Sequence, residues 1–280
     1  MTYREALKNG ETLLCKSGIS DAKTDAWLLL SWVCGIDRNF YYLHMKEDLE
    51  EEKQSLYEAA LKKRTSHIPL QYITGEQEFM GLPFLVNPDV LIPRQDTEIL
   101  VEEALKRLKP EMSVLDLCTG SGCIIISVLK NMPEVRGTAA DISGRALLVA
   151  KENAKLNGVT PTWIESDLFF NIKESYDIIL SNPPYIPTEE IQRLMPEVRD
   201  YEPNIALDGS GDGLLFYRNI ISEGKRHLHP KGRLMFEVGC DQSEAVSALM
   251  AKEGYTQIET RKDLAGYGRV VTGVLGGKHV

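Results

Sequence analysis

Four consecutive residues, Asn182-Pro183-Pro184-Tyr185, combine two hydrogen-bond acceptors, two rigid rings and one flat aromatic face. They follow the apolar run Tyr176 to Ser181, which reads as a buried strand. The chemistry such a group suits is activation of a planar amino nitrogen. In an amide or an aromatic amine the lone pair is conjugated, and the amide rotation barrier of about 18–20 kcal/mol measures how firmly it is held. The Asn182 side-chain oxygen and the Pro183 carbonyl oxygen can each accept one N–H of such a nitrogen, raising its electron density and fixing its direction. The prolines keep that carbonyl pointed outward, and Tyr185 offers a surface on which a planar group can lie. Asn182, Pro183 and Tyr185 are therefore the expected catalytic residues, and with Pro184 they are expected to bind the substrate.

A second group lies upstream. Val114 to Leu117 reads as a buried strand, after which Cys118-Thr119-Gly120-Ser121-Gly122 turns the chain into a helix beginning at Cys123. Glycines permit such a turn and let a ligand approach the backbone closely. A dinucleotide fingerprint would need a third glycine where Ile125 stands, which disfavours a pyrophosphate and with it a nicotinamide dehydrogenase. Asp141 stands 19 residues beyond Gly122, the spacing at which a carboxylate accepts from both ribose hydroxyls. Asp116, before the glycines, would repel a phosphate and attract an ammonium or sulfonium group. Asp167 is placed to accept from an adenine amino group and Leu168 to pack on the ring. These acids would also serve as helix caps or turn residues. Together they favour S-adenosylmethionine, with S-adenosylhomocysteine as product, and an in-line transfer of its methyl group to the aligned nitrogen.

Both groups require a scaffold. Strands are expected near 112–117, 136–141, 161–165, 176–181 and 232–238, separated by helices near 123–131, 144–157 and 213–227, an alternation that implies parallel strands with right-handed crossovers. Two more strands near 255–260 and 269–274 follow without a clear intervening helix, so the last is expected to enter antiparallel. Ligands of such sheets bind beyond the carboxyl ends of the strands, where both groups fall. Ser143 and Asn157-Gly158 punctuate the helix between them. Residues 1–70 read as short helices forming a docking domain, 71–95 as a hairpin and linker broken by Gly75, Gly81, Pro83 and Pro88, and 96–280 as the catalytic domain.

The 280 residues carry a net charge of −9, a field that repels nucleic acid unless basic side chains gather on one face. No direct nucleic-acid binding is expected. No apolar stretch approaches a membrane span and the start carries no signal-peptide pattern, which points to a cytoplasmic protein. Five cysteines without a Cys-x-x-Cys pair argue against a disulfide framework and a zinc site. His227 and His229 lack a third ligand nearby, and Pro230-Lys231-Gly232 marks a turn there, so no metal is expected.

Through these motifs the chain resembles the PrmC/HemK family of protein-glutamine methyltransferases acting on peptide-chain release factors. The resemblance extends to Ile92-Pro93-Arg94-Gln95-Asp96-Thr97-Glu98, to Glu202-Pro203 and to Leu207 through Leu214, segments not general to methyltransferases. It implies a seven-stranded class I (Rossmann-like) S-adenosylmethionine-dependent methyltransferase domain preceded by a small helical domain that helps dock the release factor. It further implies cofactor contacts at Cys118, Thr119, Gly120, Ser121, Gly122, Asp141, Leu168 and Asn182, and a methyl acceptor in the glutamine of a Gly-Gly-Gln motif. Three residues depart from the family pattern: Cys118 and Ser210 stand where glycine is common, and Leu168 where an aromatic is often found. The rival reading is an adenine- or guanine-amino methyltransferase acting on DNA or RNA, which uses the same Asn-Pro-Pro-aromatic turn. That enzyme would have to flip a base and hold its phosphates, for which this acidic chain offers no evident surface.

Overall fold

A computed structural model describes residues 1–276 and divides them into two compact units. The first comprises Met1–Gly75 with Met195–Tyr201, the second Glu76–Leu194 with Glu202 onward. The first unit is helical: α1 (Tyr3–Lys16), α2 (Ala22–Cys34), α3 (Arg38–His44), α4 (Glu51–Thr65) and α5 (Leu70–Thr74), joined by a short helix over Pro196–Tyr201. Thr2 and Glu5 close a reciprocal capping box at the start of α1, and the Asp37 carboxylate accepts from Phe40 N at 2.7 Å to begin α3. Tyr57 is buried between helices and donates to the Ala26 carbonyl at 3.1 Å, so its polar tip is satisfied inside the core. Arg64 is also buried. Its guanidinium reaches Asp25 at 2.7 Å and Glu197 at 2.8 Å, tying the 195–201 segment to α2 and α4. Burial raises the Asp25 pKa even though Arg64 hydrogen-bonds and attracts its carboxylate, whereas the more exposed Glu197 is lowered by the same guanidinium.

The second unit opens with the hairpin β1 (Glu76–Phe79) and β2 (Leu82–Leu85), joined at Met80-Gly81, both with positive φ as the twist of such a turn demands. The part of the expected hairpin region before Gly75 is helical instead, as α5. Next come α6 (Gln95–Leu105), β3 (Ser113–Leu117), α7 (Cys123–Asn131), β4 (Arg136–Asp141), α8 (Gly144–Asn157), β5 (Thr162–Glu165) and β6 (Tyr176–Ser181). After α9 (Pro196–Tyr201, part of the first unit) follow α10 (Leu215–Gly224), β7 (Leu228–Glu237), α11 (Ser243–Lys252), β8 (Tyr255–Lys262) and β9 (Gly268–Leu275).

The seven-stranded sheet has the order β5-β4-β3-β6-β7-β9-β8. Strands β3 to β7 are parallel, and β9 enters antiparallel between β7 and β8, as its direct succession to β8 leads one to expect. The strand order reverses between β3 and β6. That reversal opens a crevice at the carboxyl edge, and the pairing of Leu117 with Ser181 brings the loops after β3 and β6 side by side there. The expected turn at Pro230-Lys231-Gly232 is an irregularity within β7 instead: Tyr176 pairs with Leu228 and Ile178 already with Arg233, so the extra residues bulge out, with Lys231 at φ +66°. His227 lies just before this strand and stacks on Phe169 with ring centroids 4.6 Å apart. Apolar residues from α6, α7 and α8 cover one sheet face, and those of α10 and α11 cover the other.

Removing Arg64 leaves the Asp25 carboxylate buried without its partner, and breaking such a pair costs about 3–5 kcal/mol. Arg64→Ala is expected to destabilise the first unit by that order, seen as a lower denaturant midpoint. Unchanged midpoints would mean the triad contributes nothing.

Candidate active site

At the carboxyl edge of the sheet lies a cavity of about 390 Å³, within the range of small-molecule sites. The loop after β3 contributes Cys118, Thr119, Gly120 and Ser121; β4 ends on Asp141; the loop after β5 contributes Asp167 and Leu168; and β6 delivers Asn182 and Pro184. Gly122, Pro183 and Tyr185 lie outside this lining. Gly122 starts α7, and Tyr185 turns its phenol towards Glu237. Sequence reasoning missed several wall residues, among them Asp89, Arg94, Thr97, Ile142, Ile205 and Phe216. Arg94 and Thr97 fall in the Ile92–Glu98 segment, which the family resemblance marks without assigning it a role.

Asp141 is the hub of the end of the cavity formed by the glycine loop and α8. Its Oδ2 accepts from Gly120 N at 2.8 Å and its Oδ1 from Ser143 N at 2.9 Å, so one carboxylate fixes both the glycine loop and the start of α8. Burial raises its pKa, while these backbone N–H groups pull it back down. Each oxygen retains a lone pair for another donor. A Cβ placed at Gly120 would meet nothing within 4 Å, so the loop leaves open space at φ +55° where a ligand can approach. Asp116 does not face the cavity: it is fully buried, accepts from the Thr119 hydroxyl at 2.6 Å, and is pushed up to about 7 by burial. Its visible work is to hold the loop from beneath. With Asp89, Asp141 and Asp167 in the wall against one basic residue, Arg94, the lining suits a neutral or cationic nucleoside better than a phosphate.

The other end is the turn after β6. Ser181 anchors it by donating to the Leu117 carbonyl at 2.8 Å. Asn182 Nδ2 donates to the Thr97 hydroxyl at 3.3 Å, which leaves the amide oxygen unengaged by Thr97. The Tyr185 carbonyl accepts from Gln242 Nε2 at 2.9 Å, and Gln242 is itself held by Gly239 N at 3.0 Å. The segment Leu207–Gly213 runs against the turn, with Ile186 N donating to Leu207 O and Gly209 N to Ile186 O. A Cβ at Gly209 would meet Tyr185 Cα at 2.7 Å, and one at Gly213 would meet the Tyr185 carbonyl oxygen at 2.3 Å. Arg94 pairs with the buried Glu202, which also accepts from Ile92 N at 3.3 Å. The segments Ile92–Glu98 and Glu202–Gly213 are thus the frame of the turn.

Cys118, Leu168 and Ser210, the three departures from the family pattern, all have positive φ, at +59°, +46° and +69°. Glycine adopts that backbone without the steric cost of about 1–2 kcal/mol that other residues pay. The Cys118 thiol is pushed far up by burial and by Asp141, so it stays protonated and inert.

The contacts at Gly209 separate two neighbouring glycines by experiment. Gly209→Ala must displace the Tyr185 backbone and is expected to cost about 1–3 kcal/mol, as overpacking does. At Gly211 an added methyl group would meet nothing within 4 Å and φ is not positive, so alanine should be accepted there within about 0.5 kcal/mol. Denaturant titration of both variants checks this, and equal stabilities would contradict the close approach.

Comparison with known proteins agrees with this architecture. Residues 5–75 match the PrmC N-terminal domain and residues 95–197 match the Methyltransferase small domain. A release factor glutamine methyltransferase of Geobacter sulfurreducens is 41% identical over 98% of this chain and 97% of its own. One from Clostridium acetobutylicum is 42% identical over 99% of this chain and 100% of its own. Among solved structures, a methyltransferase from Pyrococcus furiosus superposes with a TM-score of 0.54 at 16% identity, covering 71% of this chain and 91% of that one, a likeness of fold. The full-length identity to the bacterial relatives shows that this chain is a methyltransferase belonging to the release factor glutamine methyltransferase family.

Proposed function

We propose that the protein transfers a methyl group from S-adenosylmethionine to the side-chain amide nitrogen of the glutamine in the Gly-Gly-Gln motif of peptide-chain release factors. The observation that carries this reading is that Asn182 and Pro184 share one cavity with Gly120 and Asp141, so an acceptor turn and a nucleoside site face the same space. Asp141 would hold the ribose, Asp167 and Leu168 the adenine, and the backbone of Cys118 to Gly122 the amino-acid end. When bound, S-adenosylmethionine supplies an electrophilic methyl group and leaves as S-adenosylhomocysteine.

The work of this chain is to make a poor nucleophile adequate. Asn182 Oδ1 and the Pro183 carbonyl accept the two N–H groups of the glutamine amide, which aims its nitrogen and raises its electron density. The Tyr185 phenol, turned towards Glu237, backs this turn from outside the cavity lining. No strong base is required, because the nitrogen becomes acidic as its new bond to carbon forms and then releases one proton to water. Glycines on both sides of the glutamine allow that loop to extend into a narrow site without side-chain clashes. The helical unit is proposed to bind the body of the release factor, which offsets the entropy lost when the loop orders. Among the described residues no helix is long and apolar enough to cross a membrane, and a release-factor substrate implies a reaction in the cytoplasm.

Asp141→Ala should weaken S-adenosylmethionine by about 1.5–3 kcal/mol, the worth of hydrogen bonds to a charged group, as read by calorimetry. Asn182→Ala should slow methyl transfer roughly 100-fold or more while changing cofactor affinity much less. The substrate is tested with labelled S-adenosylmethionine and full-length release factor, its glutamine-to-alanine variant, ribosomal RNA and DNA. Label confined to the intact factor and mapped to that glutamine supports the proposal. Label in nucleic acid, or equal label in the variant, would replace it with the base-methylating alternative.

A further inference from the structure

The peptide group joining Tyr185 to Ile186 follows Pro184, which lines the cavity, and is held at both of its polar ends. Its N–H donates from Ile186 to the Leu207 carbonyl at 3.0 Å, and its C=O accepts from Gln242 Nε2 at 2.9 Å. In a trans peptide these groups point in opposite directions, so two bonds fix the plane whereas one leaves an axis about which it can swing. Gln242 is buried and its carboxamide is used completely. Oε1 accepts from Gly239 N at 3.0 Å, while Nε2 donates to the Tyr185 carbonyl and, at 3.5 Å, to the Gly213 carbonyl. The position needs one acceptor and two donors on a side chain of this reach, which is the inventory of glutamine.

The carboxamide sits in a slot that two glycines leave open. A Cβ at Gly239 would stand 2.8 Å from Gln242 Oε1, and one at Gly213 would stand 2.7 Å from Gln242 Nε2. Gly213 also has φ +71°, but Gly239 does not have positive φ, so what its missing side chain provides is room for the carboxamide.

The effect of this slot reaches the reacting end of the turn. Upstream the turn is anchored at Ser181, which pairs with Leu117 and Phe236 in the sheet and donates its hydroxyl to the Leu117 carbonyl at 2.8 Å. Downstream it is anchored at the Tyr185 carbonyl. Between the anchors stand Asn182, Pro183 and Pro184, and the proline rings lock two φ angles at about −65°. With both ends held and two torsions removed, the Pro183 carbonyl and the Asn182 side chain keep little freedom of direction. We propose that Gln242 is a positioning residue for methyl transfer: by holding the Tyr185 carbonyl it sets the direction in which Asn182 and the Pro183 carbonyl meet the substrate amide. The Gly213 carbonyl, bonded to the same carboxamide, stands just before α10, whose Leu215, Phe216 and Asn219 line the cavity. One side chain thus ties the turn to a second part of the wall.

The proposal rests on the methyl-transfer reading for its kinetic arm only. With saturating S-adenosylmethionine and full-length release factor, Gln242→Met, which nearly keeps the shape of the side chain but cannot donate, should lower kcat on the order of 100-fold. Its KM for release factor should stay within about threefold. Gln242→Glu, which turns a carboxylate oxygen towards two carbonyl oxygens, should be slower still. Gly239→Ala keeps Gln242 but pushes its carboxamide from the slot. Because the displaced atom ends a flexible side chain, the denaturant midpoint should stay near wild type while kcat falls as in Gln242→Met. Cofactor affinity by calorimetry should stay within about twofold in all three, since Gln242 and Gly239 lie outside the cavity lining. In protein carrying 13C at its proline carbonyls, the Pro183 signal should be single in the wild type and shift or split in Gln242→Met and Gly239→Ala. A wild-type kcat in Gln242→Met overturns the proposal, since filling the space would then suffice. So does a wild-type kcat in Gly239→Ala, or a Pro183 signal unchanged in both variants. If the wild type transfers no methyl to the release factor, the methyl-transfer reading fails and the Pro183 signal still decides the role of Gln242. Should the Gln242 variants not fold, Gly239→Ala decides it.

Discussion

The carbonyl oxygen of Tyr185 is held by Gln242 at 2.9 Å while the backbones of Gly209 and Gly213 press against the same residue. Much of the site follows from that clamp. It ends β6 abruptly, so that Asn182 and Pro184 face the cavity while Tyr185 and its phenol turn inward to Glu237. Gln242 can act from across the site because β7 ends at Glu237 and the chain turns into α11 just beyond it. The clamp therefore links three carboxyl-edge segments, after β6, before α10 and after β7, around one peptide group. No single side chain could fix the turn as closely, because a backbone packed on backbone has no rotamer to yield.

The electrostatic cost of this arrangement is concentrated in two buried acids. Asp116 and Glu237 are both pushed by burial from ordinary carboxylate values up to about 7. A folded-state pKa above the unfolded one means that the native protein binds more protons, so stability falls as pH rises from about 4 to about 7. Neither acid is then there for stability. Asp116 holds Thr119 in the glycine loop and Glu237 stands behind Tyr185, so each supports one half of the cavity wall. Asp141, by contrast, has its burial partly offset by backbone N–H groups and remains turned to the cavity as a charged acceptor.

Much of the fold is written locally. The strands at β3, β4 and β6 and the helices α7 and α8 are legible because each joins a periodic apolar pattern to clear punctuation, such as Ser143 accepting from Ala146 N at 3.1 Å. The helix α11 is not legible in that way, since only Val246 and Met250 of its side chains are fully buried and its apolar stripe is thin. The glycine loop, Asp141 and Asn182 are legible because their spacing after strands places them at one edge of a parallel sheet. Thr97, Glu237 and Gln242 are not, because each reads as an ordinary helix, strand or loop residue. Their meaning lies in partners far away in sequence, 85 residues in the case of Thr97 and Asn182. The segments Ile92–Glu98 and Glu202–Leu214 stand between these cases: resemblance marks them as special, and only the Arg94–Glu202 pair and the contacts of Gly209 give the physical reason.

Backbone strain falls around the same site. Cys118 precedes the glycine loop, Leu168 lines the cavity and Ser210 sits between the two glycines that clamp Tyr185, and all three adopt a backbone that side chains disfavour. Such residues persist only where the surroundings over-determine them. At Cys118 the constraint is the β3–β6 pairing on one side and Asp116 with Thr119 on the other. At Ser210 it is Asp208, whose carboxylate accepts from both Ser210 N at 2.8 Å and the Thr188 hydroxyl at 2.7 Å. At Leu168 it is Ser166, whose hydroxyl donates to the Leu168 carbonyl at 2.8 Å and accepts from Asn171 N at 2.9 Å. Ser210 and Leu168 are thus tied by short polar side chains close to them in the chain, whereas Cys118 is held by the sheet itself and by Asp116 beneath it.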